Sequence, residues 1–358
     1  MPNRNEHWRQ IRQLRSRPPG GAGHDPTRRS VFQAALAQSE ELWEAAKVAG
    51  ARSRALPLFY ALSQGGRAVA AAWSPGNEWQ PRGHGLTREE PKGIDGLQFV
   101  AEYAVAVTAR AHGAFRMVAE ATASELFVGY ATVAELWASM PLWPGSRALL
   151  GGRPGCLRIQ RVRPVQQPPS VVDLLSPRFG QIDIPPGAAP GVLRRYPTAR
   201  GFKLAGTGPG GSHHRSSVVS FPDDTGAKRS LDDVAFADQT ESRLPEVFHL
   251  RPAVGTGAGE PPSQLMTLWA LLFAFSELTR YYPAHWVGAL DDDRSEAAVL
   301  LDHGLELALD LVPRLMASAL SLGPSRWEIR RLLSQRNQQM KPIPPPSPRP
   351  PSERFRQF

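Results

Sequence analysis

The chain has 358 residues, of which 41% are apolar and 21% are charged, so it can bury a substantial core and is not expected to be a disordered protein. Its longest strongly apolar run, Leu265 to Phe275, is well short of the roughly 20 residues that span a bilayer. The N-terminus lacks the apolar segment of a signal peptide, and the single cysteine, Cys156, permits no internal disulfide. These features predict a cytoplasmic protein with no membrane partner.

The net charge of +9 is concentrated at the two ends of the sequence. Residues 1–29 carry +5, residues 326–340 carry +3 and residues 341–358 carry +3, which leaves −2 for the rest of the chain. We therefore predict a basic disordered arm at 1–29 and a Pro-rich disordered tail at 341–358. Basic arms bind phosphate backbones without sequence preference, although such termini are often only solvated. Non-specific nucleic-acid binding through the termini is accordingly one functional hypothesis.

Residues 30–140 are predicted to form a helical block with one buried strand. Ser30 is a candidate cap for the first helix, and residues 52–73 form a second helix that contains Gly65 and Gly66. These glycines cost helix propensity, which indicates that another segment packs closely against them. The buried strand is predicted from the alternating apolar residues between Leu97 and Val107.

The remaining part of the chain divides into two segments with different composition. Residues 141–262 are more than twice as rich in Gly and Pro as the block before them, so we predict an insertion with short strands at 157–162, 201–205 and 216–221. Residues 263–340 return to helical patterns and are expected to pack on 30–140. Their predicted helices run from a cap at Ser263 to Tyr281, from Glu296 to Leu320 and from Arg326 to Gln338.

These elements predict an α+β fold that is mainly α-helical. The helical core is built from both halves of the chain, and the turn-rich insertion contributes a small β region. No internal repeat divides the sequence further.

Three segments, in this order and with these separations, resemble the YaaC-like proteins of bacteria. They are RSRALPLFYALSQGGRAVAAAW at 52–73, GHGL at 83–86 and RYYPAHW at 280–286. The similarity extends over about residues 30–325 and leaves both termini uncovered. No activity is assigned to that family, so the resemblance implies no particular chemistry.

One short motif within these segments also resembles the HEPN-type helical ribonucleases. Arg280 and His285 form an R-x4-H pattern, and in those enzymes the histidine acts as a general base while the arginine stabilises phosphate charge. On a straight helix the two side chains would diverge by about 140°, but Pro283 allows a turn that brings them together. The alternative is structural: Arg280 caps the helix, His285 bonds a loop and Trp286 fills the core.

Four further residues are candidates for the same site. His84 lies between two glycines, where it either approaches a ligand closely or ties its loop to the core. Arg54, Gln64 and Arg67 on the second helix are candidate binding residues, or they form hydrogen bonds that fix helix packing. The catalytic hypothesis thus uses Arg280 and His285 with His84 assisting.

Other motifs do not support a cofactor or a metal ion. GTGPGG at 206–211 is followed by a strand pattern where a dinucleotide site needs a helix. The acidic run 291–293 precedes a helix and supplies too few oxygens for a hard cation, and His213 and His214 have no matched ligands. We predict no cofactor and no metal. The leading hypothesis is a non-catalytic or unclassified interaction module with a protein partner, and the alternative is a metal-independent ribonuclease acting on RNA as a homodimer.

Overall fold

The computed structural model describes residues 4–109, 112–141, 143, 147–161, 179–199, 203–208, 216–220, 247–256, 261–291, 293 and 297–339. Helices make up 61% of these residues, and the strands form two small antiparallel sheets. The predicted mainly α-helical α+β fold class is confirmed. None of the helices in these ranges combines the length and the hydropathy that a membrane span requires.

The helices form one large core that draws on both halves of the chain, as predicted. The helices are α1 (Arg4–Ser16), α2 (Gly20–His24), α3 (Pro26–Val48), α4 (Ala51–Trp73), α5 (Gly96–Glu102), α6 (Ala114–Ala121), α7 (Val133–Ala138), α8 (Arg147–Leu150), α9 (Ala189–Leu193), α10 (Gln264–Tyr281), α11 (Pro283–Ala289) and α12 (Ala298–Gln339). The strands are β1 (Leu86–Glu89), β2 (Ala104–Val107), β3 (Tyr130–Thr132), β4 (Leu157–Arg161), β5 (Phe179–Ile182), β6 (Lys203–Gly208), β7 (Ser216–Ser220) and β8 (Val247–Leu250).

Helix α4 is the centre of this core and packs against α3, α6, α10 and α12. Its glycine pair marks the closest approaches. A Cβ at Gly65 would collide with Met316 of α12, and a Cβ at Gly66 would collide with Trp269 of α10. The predicted packing role of the two glycines is confirmed, because the close contacts that they permit offset their poor helix propensity.

Helix α3 begins before the predicted cap. The Asp25 carboxylate accepts hydrogen bonds from the backbone N–H groups of Thr27 and Arg28, and Pro26 occupies the first helical position, where its missing N–H costs nothing. The prediction of Ser30 as the cap is wrong, because Asp25 followed by Pro26 is the stronger start signal.

The segment predicted as a basic disordered arm, 1–29, is mostly helical where the structure describes it. Trp8 is 2% exposed and packs against Trp43 of α3, with ring centroids 5.4 Å apart. The Arg12 guanidinium lies 2.5 Å from the Glu40 carboxylate. The prediction is wrong because one apolar face of α1 reaches the core, although the charge count alone indicates a solvated segment.

The segment predicted as a strand, Leu97 to Val107, is a helix followed by a strand. Phe99 and Val100 are buried within α5, and Tyr103 ends that helix before β2 begins. The prediction is wrong over its first half because a short, fully buried apolar run has no polar face by which periodicity could distinguish helix from strand.

The first sheet has the strand order β1-β2-β3, with both pairs antiparallel. Arg88 of β1 lies opposite Val105 of β2, and Tyr103 immediately precedes β2. Because residues directly opposite each other on paired strands share a face, Val105 lies on the face that carries the Arg88 side chain. The sheet packs against α10.

The insertion contains the second sheet, with the strand order β6-β7-β5-β4-β8. The strands predicted at 157–162 and 216–221 correspond to β4 and β7. The strand predicted at 201–205 lies two residues further along, at β6, and residues 201–202 are outside the described part. The sheet has a small core of its own, formed by Ile159, Ile182, Tyr196, Ala199 and Leu250.

Arg251, directly after β8, ties the insertion to the helical core. Its guanidinium donates to the carbonyl oxygen of Ser139 at 2.7 Å, to the carbonyl oxygen of Pro262 and to the Thr267 hydroxyl at 2.7 Å. Burial lowers the pKa of Arg251 to about 10, so the group stays charged at neutral pH. The insertion is therefore held at this junction by an enclosed arginine.

Helix α10 begins and ends as predicted, and α12, which starts at Ala298, is longer than either helix predicted there. The Ser263 hydroxyl accepts a hydrogen bond from the Met266 N–H at 3.4 Å, and α10 ends at Tyr281. Pro283 then starts α11. Helix α12 is continuous through Gly323 and Pro324, where the sequence predicted a break between two helices. The predicted Pro-rich tail, 341–358, lies outside the described residues.

Candidate functional site

His84, in the second motif, packs against the helix of the first motif and against α10, the helix that leads into the third. The imidazole ring packs against Phe59 and Tyr60 of α4, with centroid distances of 5.1 and 6.3 Å, and against Phe273 of α10 at 6.3 Å. The loop that carries His84 therefore sits at the junction of α4 and α10, directly before β1.

Backbone contacts fix the conformation of this loop. Gly83 and Gly85 have φ angles of 76° and 80°, a left-handed conformation that favours glycine. The carbonyl oxygens of Gly83 and His84 accept hydrogen bonds from the N–H groups of Ala114 and Phe115, each at 3.0 Å. The loop is thus tied to the start of α6, and the imidazole is held in one place against the two helices.

The surroundings of His84 keep its ring neutral at pH 7. Burial lowers the pKa of His84 below its usual value, and the positive charges of Arg280 and, more weakly, Arg67 lower it further, while Glu277 acts in the opposite direction. Two of the predicted cationic residues, Arg280 and Arg67, therefore lie close enough to His84 to affect its charge.

The two residues of the R-x4-H pattern have different partners. Arg280 donates from Nε to the Ser276 carbonyl oxygen at 3.2 Å and pairs with Glu277, both within α10. His285 stacks on Phe99 of α5, with centroids 4.0 Å apart and an interplanar angle of 13°. Pro283 does redirect the chain, but no contact among the described residues joins the arginine to the histidine.

The rest of this motif has structural contacts. The Nδ1 atom of His285 lies 3.9 Å from the Asp95 carboxylate, which is the closest charged partner described for it. Trp286 is 1% exposed, and its indole N–H donates to the Arg52 carbonyl oxygen at 3.0 Å. The predicted role of Trp286 in the core is confirmed.

An arginine cluster forms where β1 meets α10. We define it as Arg88, Glu277 and Arg280. The Glu277 carboxylate, 5% exposed, accepts from Arg88 through Oε2 and from Arg280 through Oε1. A buried carboxylate is costly unless it is paired, and here one carboxylate holds two guanidinium groups. Their side chains are 34% and 29% exposed, so the pair faces the solvent.

Tyrosines surround the arginine cluster. The guanidinium carbons of Arg88 and Arg280 lie 4.5 and 5.1 Å from the ring centroid of Tyr281, whose exposed fraction is 54%. Such cation–π contacts hold both arginines at the surface. Tyr282, on the other side, packs against Tyr103 with a centroid distance of 5.7 Å.

Tyr103 is the most deeply placed of these side chains. It is 0% exposed, and no described residue hydrogen-bonds to its hydroxyl group. Burial raises the pKa of Tyr103, with the charge of Arg88 acting in the opposite direction, so the hydroxyl is a protonated donor. A buried donor without an acceptor costs about 1–3 kcal/mol. The Tyr103 hydroxyl therefore has an unmet hydrogen bond beside the arginine cluster.

The three candidate binding residues on α4 separate into two groups. Arg54 pairs with Glu306 and lies 3.6 Å from Asp302, both on α12, and none of these residues contacts His84. Gln64 is half-buried and Arg67 is exposed. They follow Tyr60 at intervals of four and seven residues, which places them on the helix face that His84 contacts.

The sequence did not single out Arg88, Glu277 or Tyr103. One signal was present: Glu277 is the only acidic residue in α10, an otherwise strongly apolar helix. A carboxylate there requires a positive partner, and Arg280 one turn later supplies only one of the two that the fold provides. Arg88 and Tyr103 reach the site through strand pairing, for which the sequence holds no local pattern.

With two guanidinium groups at the surface, the arginine cluster is suited to binding an anion, and the other reactive side chains offer no competing chemistry in the described part. No group of three or more His, Cys, Asp or Glu residues that could hold a metal ion occurs in the described part of the chain. Cys156 donates to the Ala138 carbonyl oxygen, and burial raises the pKa of its thiol to about 12, so no thiolate nucleophile is present there at neutral pH. His213 and His214 lie outside the described residues.

Comparison with known proteins identifies one family. The model of the family described as YaaC-like Protein matches residues 8–174 and 227–320, which is most of the chain. The matched region begins at Trp8 of α1 and ends at Leu320 of α12, and both residues are buried in the core. It contains every residue of the arginine cluster. No curated protein and no solved structure matches the chain.

Proposed function

The chain belongs to the YaaC-like protein family, and we propose that it is a non-catalytic binding module that recognises an anionic group of its ligand or partner at the arginine cluster. The observation that carries this proposal is the sharing of one buried carboxylate, Glu277, by two solvent-facing guanidiniums. The two guanidiniums carry one charge more than Glu277 alone, with Glu90 3.6 Å from Arg88 at the exposed edge of the cluster. Guanidinium groups also match oxyanions in geometry.

The neighbouring residues support recognition of a partner. Tyr281 is an exposed aromatic ring held between two arginines, and Tyr and Arg are the residue types that most often dominate binding energy at interfaces. Arg67 extends the positive potential beyond His84. Arg67 and Arg280, the latter in contact with Tyr281, both act on His84, so the two features lie near the loop that carries His84.

Binding explains the arrangement of the R-x4-H residues better than ribonuclease chemistry does. A general base and a charge-stabilising arginine must reach the same phosphate group, whereas Arg280 is engaged with Glu277 and His285 with Phe99. In the proposed module Arg280 binds the anion, and His285 packs α11 onto α5.

A thermal-shift titration with sulfate, phosphate and citrate at constant ionic strength tests this function. A site that binds only the folded state adds about 1.4 kcal/mol of stability when the anion is at ten times its Kd. We expect this increment in the wild type and its loss in Arg88→Gln and Arg280→Gln. Arg54→Gln is the matched control, because it removes a paired arginine on α4, outside the arginine cluster. This variant should keep the increment.

Two results would contradict the proposal. One is an equal anion effect in the wild type and in both cluster variants. The other is cleavage of RNA by the wild type in the presence of EDTA that is lost in His285→Ala, because a catalytic histidine is incompatible with a purely structural role for the stacked ring.

A further inference from the structure

One group beside the arginine cluster is not used by the contacts described around it. The Tyr103 hydroxyl is buried without a hydrogen-bond partner among the described residues, while the charges of Arg88 and Glu277 and the Tyr282 side chain are near enough to affect it. A buried unpaired donor beside Arg88, the first arginine of the cluster, indicates that an acceptor belongs there. We propose that the arginine cluster binds a phosphate monoester, an inference that rests on the proposed function. Arg88 and Arg280 donate hydrogen bonds to two of the phosphate oxygens, and the Tyr103 hydroxyl donates to a third.

The three donors belong to three different elements of the fold, which favours a tetrahedral anion over a planar one. Arg88 is on β1, Arg280 is at the end of α10, and Tyr103 lies between α5 and β2. A carboxylate presents two oxygens in one plane, as Glu277 does to its two arginines. A phosphate group presents three terminal oxygens in different directions, so it can meet donors from three separate elements.

The charges at the site fit a phosphate monoester as well. Arg88 and Arg280 are balanced by Glu277 and Glu90. Arg67, which acts on His84 from α4, adds one positive charge on this side of the loop. His84 stays neutral beside Arg280 and Arg67, so the excess positive charge comes from the arginine side chains. A phosphate monoester, which carries between one and two negative charges near neutral pH, is an anion that this excess attracts.

The test compares inorganic phosphate binding to the wild type and to Tyr103→Phe by isothermal titration calorimetry. Loss of one hydrogen bond to a charged group should weaken phosphate binding about tenfold, which corresponds to about 1.4 kcal/mol. The same variant without phosphate should melt at the wild-type temperature or above it, because the substitution removes an unsatisfied buried hydroxyl. This combination separates a ligand contact from a merely structural role.

Tyr196→Phe is the matched control. The Tyr196 hydroxyl is also buried, but it donates to the Gly155 carbonyl oxygen at 2.8 Å in the insertion. We expect this variant to lose stability and to bind phosphate as the wild type does.

The source of the phosphate group is resolved by two further titrations, with O-phosphoserine and with adenosine 5′-monophosphate. Binding of either ligand that falls about tenfold in Tyr103→Phe supports the proposal, and the tighter of the two identifies the kind of molecule that carries the phosphate. If sulfate or citrate binding is lost in Arg88→Gln while phosphate binding is unaffected by Tyr103→Phe, the phosphate assignment is overturned and the proposed function stands. If no anion distinguishes the wild type from Arg88→Gln, the proposed function itself fails.

Discussion

Arginine is placed in two different ways in this molecule. Arg251 is enclosed at the junction of the insertion with the core, where its guanidinium donates to three neutral oxygens. Arg88 and Arg280 are only partly buried and share the carboxylate of Glu277. Arg251 is 6% exposed, whereas Arg88 and Arg280 line a surface.

The difference separates a structural arginine from a binding one. An arginine enclosed by backbone carbonyl groups stabilises one arrangement of the chain, because removing it leaves several buried acceptors unpaired. An arginine held at the surface by a carboxylate and an aromatic ring is preorganised for an incoming anion. Stability and ligand binding should therefore respond differently to substitutions in the two regions.

The largest expected effect is on stability at the junction. Arg251→Met leaves the carbonyl oxygens of Ser139 and Pro262 and the Thr267 hydroxyl without their donor, at about 1–3 kcal/mol for each unpaired group. We expect the free energy of unfolding, measured by urea denaturation, to fall by about 3 kcal/mol or more, while anion affinity is unchanged.

If Arg251→Met does not fold, Arg251→Lys keeps the charge and replaces the planar fork with a single ammonium group. We expect it to fold with an intermediate loss of stability. Wild-type stability in both variants would show that the junction does not depend on this arginine.

In the arginine cluster, we expect a smaller loss of stability together with a gain in anion affinity. Glu277→Gln removes the carboxylate that holds both guanidiniums, so we expect the free energy of unfolding to fall by about 2 kcal/mol. The same change removes a negative charge a few ångströms from the anion, so sulfate affinity measured by calorimetry should rise by about fivefold. Glu306→Gln, at the pair with Arg54, is the control and should leave sulfate affinity unchanged. Unchanged sulfate affinity in Glu277→Gln would contradict the binding role, because the variant alters both the charge beside the two guanidiniums and the group that positions them.

The smallest effect concerns the pH dependence of stability. Because burial and then Arg280 lower the pKa of His84 in the folded protein, the unfolded chain takes up this proton at a higher pH than the folded one. The wild type should therefore have its full stability above about pH 6.5, the usual histidine value, and lose stability as the pH falls below it. Thermal unfolding between pH 7.5 and 5.5 should show a smaller loss in His84→Asn than in the wild type, and equal losses would contradict this assignment.

Most of the helical architecture could be predicted from local sequence patterns. Ser263 marked the start of α10, and Gly65 and Gly66 indicated the close packing of α4 before any partner was known. The predictions failed where local pattern and tertiary burial disagree. Trp8 lies in an arginine-rich segment, yet it is buried against Trp43, and Phe99 lies in an apolar run whose periodicity did not reveal a helix.

Part of the candidate site was predictable because its residues stand in local sequence patterns. His84 and Arg280 stand in short motifs that can be recognised without a fold, and Arg67 follows on a helix face that periodicity defines. Arg88 and Tyr103 could not be found in this way. They approach Glu277 only because β1 pairs with β2 in one register, and register is set by packing and turns and not by the two residues themselves.

By itself, the sequence determined the mainly α-helical class, the turn-rich insertion and the family to which the chain belongs, because helix periodicity, glycine and proline content and short motifs are local properties. Only the tertiary structure decided which charged residues meet. It separated Arg280 from His285, joined Arg280 to Arg88 through Glu277, and placed the Tyr103 hydroxyl behind them, because a contact between residues far apart in sequence depends on how whole helices and strands pack.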